Sequence, residues 1–351
     1  MRRASPADLG AFIARAFVAA GLPAQDAEAV AARMVEADVI GADAHGVFRL
    51  PQYIRRLKAG GVNARPDIQV RKTGPATALV DGDNGMGHLV MTRAARTAVE
   101  LARETGVAWV GARRSNHAGA ASVYAEIPAV AGMIGIYSAV ASANHMPPWG
   151  GIASLLGTNP LAIGVPLGDD APVMLDFATT VVSYGTVKGY ELRGQKMPEG
   201  WMVDKATGQP LTDPARSNDG FLLPIGGYKG AGLSLMLGLL AGVLNGAGVG
   251  KDVVDFNADD ASAANTGQFI LALDVKRFID PVVFAAAARR HLEELRESER
   301  LPGVDRIRLP GDDRATRRRE RLRAGVPLPD PLLVKLDQLA REAGVEKLAR
   351  A

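Results

Sequence analysis

The sequence predicts an α/β protein, and three observations carry that expectation. Short apolar runs bounded by turn residues recur at 76–81, 107–111, 133–137, 161–165, 173–177 and 269–274, which is the length and punctuation of strands. Stretches with helical spacing lie between them, and strands interspersed with helices indicate an α/β architecture. Forty glycines and 21 prolines are scattered along 351 residues rather than clustered, so many tight turns are implied.

Taken in order, Ser5-Pro6-Ala7-Asp8 reads as a helix start, with Ser5 as the cap and Pro6 in the first turn. Residues 5–40 read as two helices broken at Gly21-Leu22-Pro23, and helical spacing continues through Tyr53 and Leu57 to Gly60-Gly61. His45 and Arg49 fall inside that stretch. On a continuous helix, positions four apart share a face. A neutral imidazole passes a proton near neutral pH, and a guanidinium grips a carboxylate through two parallel hydrogen bonds. Together they suit work on a small acid beside its carboxylate; a solvated helix face is the alternative.

Residues 76–81 end in Asp81-Gly82-Asp83-Asn84-Gly85, a strand followed by a turn. Residues 92–104 read as helix, and the remaining apolar runs as strands. Residues 231–249 carry no charge, with Ser234, Gly238, Gly242 and Gly246 at every fourth position. Such a stripe lets another backbone approach closely. The segment is short for a membrane span and contains Asn245, so a buried helix of a soluble protein is expected. From residue 281 onward the chain reads as helical and charged. Its arginine-rich run at 314–323 is expected to be a solvated helix face, with a nucleotide-phosphate patch as the alternative. Nearby acids dilute the field that nucleic acid would need.

At 47% hydrophobic residues the chain can bury a substantial core. It has no cysteine, which excludes disulfides, thiolate metal sites and a cysteine nucleophile and fits a cytoplasmic location. A net charge of +3 is too small to argue for nucleic acid. Asp8 and Arg15 interrupt the apolar stretch that a signal peptide starting Met1-Arg2-Arg3 would require. No Walker A sequence, Gly-x-Gly-x-x-Gly or Gly-x-Ser-x-Gly elbow occurs. His45, His88, His117, His145 and His291 are dispersed without metal-ligand spacing, so no metal is expected.

Four local arrangements carry possible chemistry. Ser115-Asn116-His117-Ala118-Gly119-Ala120-Ala121 stands between a predicted strand and a predicted helix. Small residues there let a ligand approach the backbone, and the helix start offers free N–H groups. Gly157-Thr158-Asn159-Pro160 can present a hydroxyl and an amide to a ligand. Asp176, at the end of an apolar strand, is either a ligand contact or a helix cap. Lys229, between glycines ahead of the apolar helix, sits where a cation is disfavoured unless an anion accompanies it.

These segments, in this order, resemble the type 2 malate/L-lactate dehydrogenase family. The matching residues are His45-Gly46-Val47-Phe48-Arg49-Leu50-Pro51-Gln52-Tyr53, Ser115-Asn116-His117 with Gly119-Ala120-Ala121, and Gly157-Thr158-Asn159-Pro160. Asp176-Phe177-Ala178, Pro198-Glu199-Gly200-Trp201, Gly227-Tyr228-Lys229-Gly230 and Leu309-Pro310-Gly311 continue the match, which covers about residues 5 to 340. The resemblance implies a non-Rossmann nicotinamide-binding fold, with a large mixed sheet flanked by helices and helical N- and C-terminal segments. It divides the chain into 1–75, a cofactor-binding unit at 76–275, and 276–351 packing with the first. It implies an NAD- or NADP-dependent oxidoreductase acting on a small 2-hydroxy or 2-oxo acid, and a homodimer. A cyclic-imine carboxylate reductase and a non-catalytic metabolite-binding homologue are the alternatives.

By motif, His117 and His45 become the acid–base candidates, Arg49 the carboxylate clamp and Thr158 a substrate neighbour. Cofactor contacts fall on His117, Ala118, Gly119, Ala120, Ala121, Asp176, Phe177, Ala178, Lys229, Leu309, Pro310, Gly311 and Asp312. Three positions depart from the family pattern. Ala44 stands where a serine usually precedes the first histidine, which shifts the proton-handling expectation toward His117. Ala118 replaces an aromatic, and Asp312 a glutamate.

Overall fold

The computed structural model describes residues 2–349. Strand β1 (Arg2–Ala4) leads into helix α1 (Pro6–Ala19), where Ser5 Oγ accepts from Asp8 N at 3.0 Å, as the sequence predicts. Helix α2 (Ala24–Val39) follows a turn at Gly21. The helical spacing beyond it is not one helix. Two 3₁₀ turns, Asp43–His45 and Val47–Arg49, meet at Gly46 and precede α3 (Leu50–Ala59). A buried carboxylate causes the interruption. Asp38 Oδ2 accepts Val47 N at 2.8 Å, and a Cβ on Gly46 would lie only 1.9 Å from Asp38 Oδ1. The expected shared helix face for His45 and Arg49 is therefore replaced by a knuckle held from below.

The chain continues through β2 (Gln69–Gly74), β3 (Thr77–Asp81), α4 (Gly87–Thr105), β4 (Val107–Ser115), α5 (Ser122–Val130) and β5 (Met133–Ala139). Then come β6 (Asn144–Met146), β7 (Leu156–Gly157), β8 (Leu161–Leu167), β9 (Asp170–Phe177) and α6 (Tyr184–Leu192). Strands β10 (Met202–Asp204) and β11 (Gly220–Leu222), helix α7 (Tyr228–Ala241) and strand β12 (Thr266–Asp274) complete the middle. Each of the six apolar runs is a strand. Strand β2 has no such run because it is a polar, solvent-facing edge strand.

Seven strands form one sheet in the order β2-β3-β4-β12-β5-β8-β9. Only β3 and β4 pair in parallel; every other pair is antiparallel, so the sheet is mixed. Strand β12 comes late in the chain yet lies between β4 and β5. Helices α4 and α5 cover one face, against Val80, Val110, Tyr137 and Ile270. Gly135 and Gly164 are cross-strand partners, and a Cβ on either would meet Ala125 O at 2.4 or 2.7 Å. This glycine pair is what lets α5 lie directly on the sheet. Helix α7 packs on the opposite face through Leu237 and Ala241, beside Phe269.

Helix α7 corrects a second expectation. It ends at Ala241 and is half-buried: Ser234 and Gly238 face inward, while Leu235, Met236, Leu239 and Leu240 are exposed. The small-residue stripe does admit a close neighbour, since Ser234 Oγ donates to Gly157 O at 2.9 Å. No helix among the described residues is long and apolar enough to cross a membrane.

The remaining elements are α8 (Pro281–Glu297), α9 (Asp312–Ala324), β13 (Val326–Leu328) and α10 (Asp330–Ala343). Strand β13 pairs with β1, and one core draws on both ends of the chain, including Phe12, Met34, Tyr53 and Leu336. Helix α8 lies against β8 instead. The arginine-rich run in α9 is only partly a solvated face. Arg314, Arg318 and Arg321, at helical i, i+4 and i+7 spacing, each meet an acid from another element: Asp176, Glu36 and Asp43 respectively. That row of pairs ties α9 to the sheet and the N-terminal helices.

Candidate active site

A cavity of about 650 Å³ lies where the knuckle before α3, the ends of β4, β5 and β9, and the start of α6 converge. His45, Arg49, Ala118, Gly119, Ala120, Ala121, His117, Thr158, Asp176, Phe177 and Ala178 all line it. The structure thus brings together most of the residues singled out from sequence. Lys229, Leu309, Pro310, Gly311 and Asp312 are not part of its lining. Lys229 is exposed at the start of α7, and Asp312 pairs with Arg296 at 3.0 Å.

Arg49 is held on two sides. Its Nε donates to Ala44 O at 3.0 Å, and its Nη1 to Gln52 Oε1 at 2.9 Å and Asn257 Oδ1 at 3.4 Å. Nη2 has no hydrogen-bond partner among the described residues, so both its N–H groups are free for a carboxylate, and Nη1 joins it by releasing the long 3.4 Å bond to Asn257. Desolvation draws this guanidinium below its usual pKa, opposed by Tyr53 and Tyr184. Gly185 keeps the approach open: a Cβ there would lie 2.7 Å from Ala44 Cβ and 3.5 Å from Arg49 Nη2.

His117 and His45 stack with ring centroids 5.8 Å apart and planes 8° from parallel. Burial holds His117 neutral, well below the ordinary imidazole pKa, and the charge of Arg49 adds to it. Burial and then Arg49 lower His45 to about 4. Their surroundings differ. Tyr53 Oη lies 2.6 Å from His117 Nδ1, and Gly119 N donates to the same nitrogen at 3.3 Å. Burial raises the Tyr53 pKa, so the phenol keeps its proton and donates it. Two donors on Nδ1 place the proton of the neutral ring on Nε2. The ring of His45 makes no hydrogen bond among the described residues.

In the sequence Tyr53 was legible as part of the helical spacing and of the motif that starts at His45, not as a partner of His117; it stands in the first turns of α3, four residues after the Arg49 cap. His145, Tyr184, Phe256 and Asn257 also line the cavity, and nothing in the sequence pattern brings them there. Phe256 stacks on His117 at 4.9 Å. Thr158 O accepts both Thr179 N at 2.9 Å and Thr179 Oγ1 at 3.0 Å, which ties the turn at 157–160 to the exit of β9.

Asp176 does cap a helix. Its Oδ2 accepts Ser122 N, at the start of α5, at 3.0 Å, and Arg314 Nη1 at 2.9 Å. Alongside, residues 118–121 present nothing larger than a methyl group, and Gly119 has a left-handed φ of 77°. The result is bare backbone and a carboxylate at a helix start beside the His117 ring. A nucleotide would fit this cradle: methyl-sized walls leave room for a planar ring, and the Asp176 carboxylate would accept from a ribose hydroxyl.

Residues 4–337 match the family model described as malate/L-lactate dehydrogenase. The chain is 38% identical over 347 residues to a malate dehydrogenase of Pyrococcus horikoshii, covering 97% of this chain and 95% of that protein. It is 35% identical over 346 residues to an L-sulfolactate dehydrogenase of Methanothermobacter thermautotrophicus, covering 98% of each. The solved structure of the Pyrococcus horikoshii malate dehydrogenase superposes with a TM-score of 0.90 at 35% identity, covering 99% of this chain and 97% of that one.

Proposed function

The chain belongs to the malate/L-lactate dehydrogenase family, and from that premise we propose that its cavity exchanges a hydride between NAD or NADP and C2 of a small 2-hydroxy or 2-oxo acid. In this reading Arg49 clamps the carboxylate and His117 handles the proton. The nicotinamide, when bound, supplies the redox chemistry. Residues 118–121 and 176–178 would hold it, with Arg314 fixing Asp176.

The observation that carries the assignment of roles is the hydrogen bond between Tyr53 and His117. A phenol both donates and accepts. In reduction, Nε2–H of the imidazolium gives its proton to the substrate oxygen while Nδ1–H donates to Tyr53. In oxidation, the neutral ring takes its other tautomer, with Nδ1–H donating to Tyr53 Oη, so that Nε2 is free to take the hydroxyl proton. His45 has no equivalent partner, and Ala44 offers no hydroxyl to supply one. Arg49 also links binding to proton affinity. Its charge helps keep His117 neutral, and a bound carboxylate cancels that charge, so substrate raises the proton affinity of the ring that must act on it.

A panel of 2-oxo acids and cyclic imines, each run with both reduced nicotinamides, tests the reading. Arg49→Lys keeps the charge but loses the two-pronged grip, so KM for the preferred acid should rise about tenfold or more. An unchanged KM refutes the clamp, and full activity in His117→Ala refutes the proton role.

We also infer a homodimer. The outward side of α7 exposes Leu235, Met236, Leu239 and Leu240, continued by Val243 and Leu244, an apolar patch of the kind that a second copy covers. Leu239→Glu should convert a dimer to a monomer in light scattering; a wild-type chain that is already monomeric refutes the inference.

A further inference from the structure

Arg49, Gln52, Tyr53 and Arg56 recur at helical spacing along one side of α3. Arg49 lines the cavity and Tyr53 bonds His117. Gln52 and Arg56 are not part of the lining and are buried, 8% and 0% exposed. Both hold the segment that brings Phe256 and Asn257 to the site. Gln52 Nε2 donates to Phe256 O. Arg56 donates to the carbonyl oxygens of Asp259, Gly61 and Ser262.

Gln52 uses both ends of its amide. Its Oε1 accepts Arg49 Nη1 at 2.9 Å while its Nε2 donates to Phe256 O. These partners fix the amide's orientation, because a guanidinium can only donate and a carbonyl can only accept. Phe256 N in turn donates to Ser142 O at 2.8 Å, so both backbone polar groups of Phe256 are engaged. Its ring stacks on His117 at 4.9 Å, with the guanidinium carbons of Arg49 and Arg56 5.7 and 5.6 Å from its centre. One side chain therefore sets the plane of the carboxylate clamp and seats the ring that supports the proton-handling imidazole.

The chemistry of this bridge matters as much as its geometry. Every acceptor that holds Arg49 is a neutral oxygen: the Ala44 carbonyl, the Gln52 amide and the Asn257 amide. No carboxylate among the described residues pairs with it. A guanidinium held this way keeps its charge uncompensated until an acid arrives. A glutamate in place of Gln52 would have the same length, but it would cancel that charge and could not donate to Phe256 O. An amide accepts from the guanidinium without neutralising it and donates with its other end.

Resting on the dehydrogenase reading of the cavity, we propose that Gln52 is the positioning residue of the carboxylate clamp: its neutral amide orients Arg49 without competing with the substrate and couples the clamp to the Phe256 ring that supports His117. Arg56 anchors the far end of the same segment.

The panel of 2-oxo acids identifies the acid that wild type prefers, and Gln52→Met and Gln52→Glu are compared on it. Both replacements are unbranched and close to glutamine in length, so neither overfills the space. Gln52→Met removes both hydrogen bonds and leaves Arg49 charged but loosely held; KM for the acid should rise about tenfold. Gln52→Glu sets a carboxylate on the guanidinium in competition with the substrate; KM should rise about a hundredfold. Both variants lose the donor to Phe256 O, so kcat should fall about tenfold in each. KM for the nicotinamide should stay within about twofold of wild type. A merely structural glutamine predicts the opposite order, since glutamate keeps the shape and grips Arg49 more tightly. A KM in Gln52→Glu at or below that of Gln52→Met overturns the proposal, as does a wild-type KM in both or a nicotinamide KM that rises in step with that of the acid. Turnover of no acid by wild type overturns the dehydrogenase reading instead. The positioning role is then read from pyruvate binding by calorimetry: dissociation constants should rise in the order wild type, Gln52→Met, Gln52→Glu, and any other result overturns it.

Discussion

His88→Phe isolates the energetic signature of the buried imidazoles around the site. His88 is 1% exposed, and neither ring nitrogen has a hydrogen-bond partner among the described residues. Its ring meets Tyr53 edge to face at 5.2 Å, and a Cβ on Gly119 would lie 3.0 Å from its Nε2. Burial lowers its pKa from 6.5 to about 3, helped by the charge of Arg33. The unfolded chain takes up this proton as pH falls through 6.5, while the folded chain refuses it until about pH 3. Stability contributed by the neutral ring is therefore complete above the unfolded value and declines as pH falls between the two. The slope is about 1.4 kcal/mol per pH unit, so going from pH 7 to pH 5 costs about 2 kcal/mol from this residue. Phenylalanine is larger, keeps the aromatic contact and gives up no hydrogen bond, and its overpacking cost is the same at both pH values. Urea unfolding of both proteins at pH 7 and pH 5 reads the effect. The variant should gain about 2 kcal/mol on wild type over that interval. Parallel losses in the two proteins would refute the claim that His88 is buried neutral and unpartnered.

Other substitutions probe the site directly. Tyr53→Phe leaves His117 Nδ1 with only the Gly119 N–H at 3.3 Å; kcat should fall about tenfold to a hundredfold with KM little changed. The pH–rate profile should shift as well, and a wild-type profile would show that Tyr53 has only a packing role. Gly46→Ala forces a methyl group onto Asp38, displacing the acceptor of Val47 N, and should cost about 3 kcal/mol in urea unfolding along with most of the activity. Retained stability would mean that the knuckle is not held as described.

Two of the corrections to the sequence reading have the same origin. Apolar positions at helical spacing through 45–57 were real, but a buried carboxylate nine residues upstream of Val47 splits the stretch at Gly46. The uncharged segment after Lys229 was a helix, but which side of it is buried depends on what the sheet presents. Spacing reports the pattern of one element, whereas burial is decided by its neighbours. The sheet strands were legible because apolar runs between turns have few other uses. Strand β2 was not, because an edge strand does not need apolar residues.

What the sequence determined by itself was the set of parts: the α/β class, the strands, and the residues proposed above for acid–base and carboxylate chemistry. Their ordered motifs also pointed to the family that the comparisons support. Only the tertiary structure decided how the parts are used. It placed Tyr53 on His117 and left the His45 ring without a hydrogen bond among the described residues, giving a structural ground for the preference for His117 that Ala44 had suggested. It paired the α9 arginines with acids more than a hundred positions away and brought Phe256 and Asn257 to a cavity whose other walls come from both halves of the chain. The physical reason is that the proton affinity of a side chain and its hydrogen-bond partners depend on distances of a few ångströms in space, and chain separation says little about those distances once β12 has been threaded between β4 and β5.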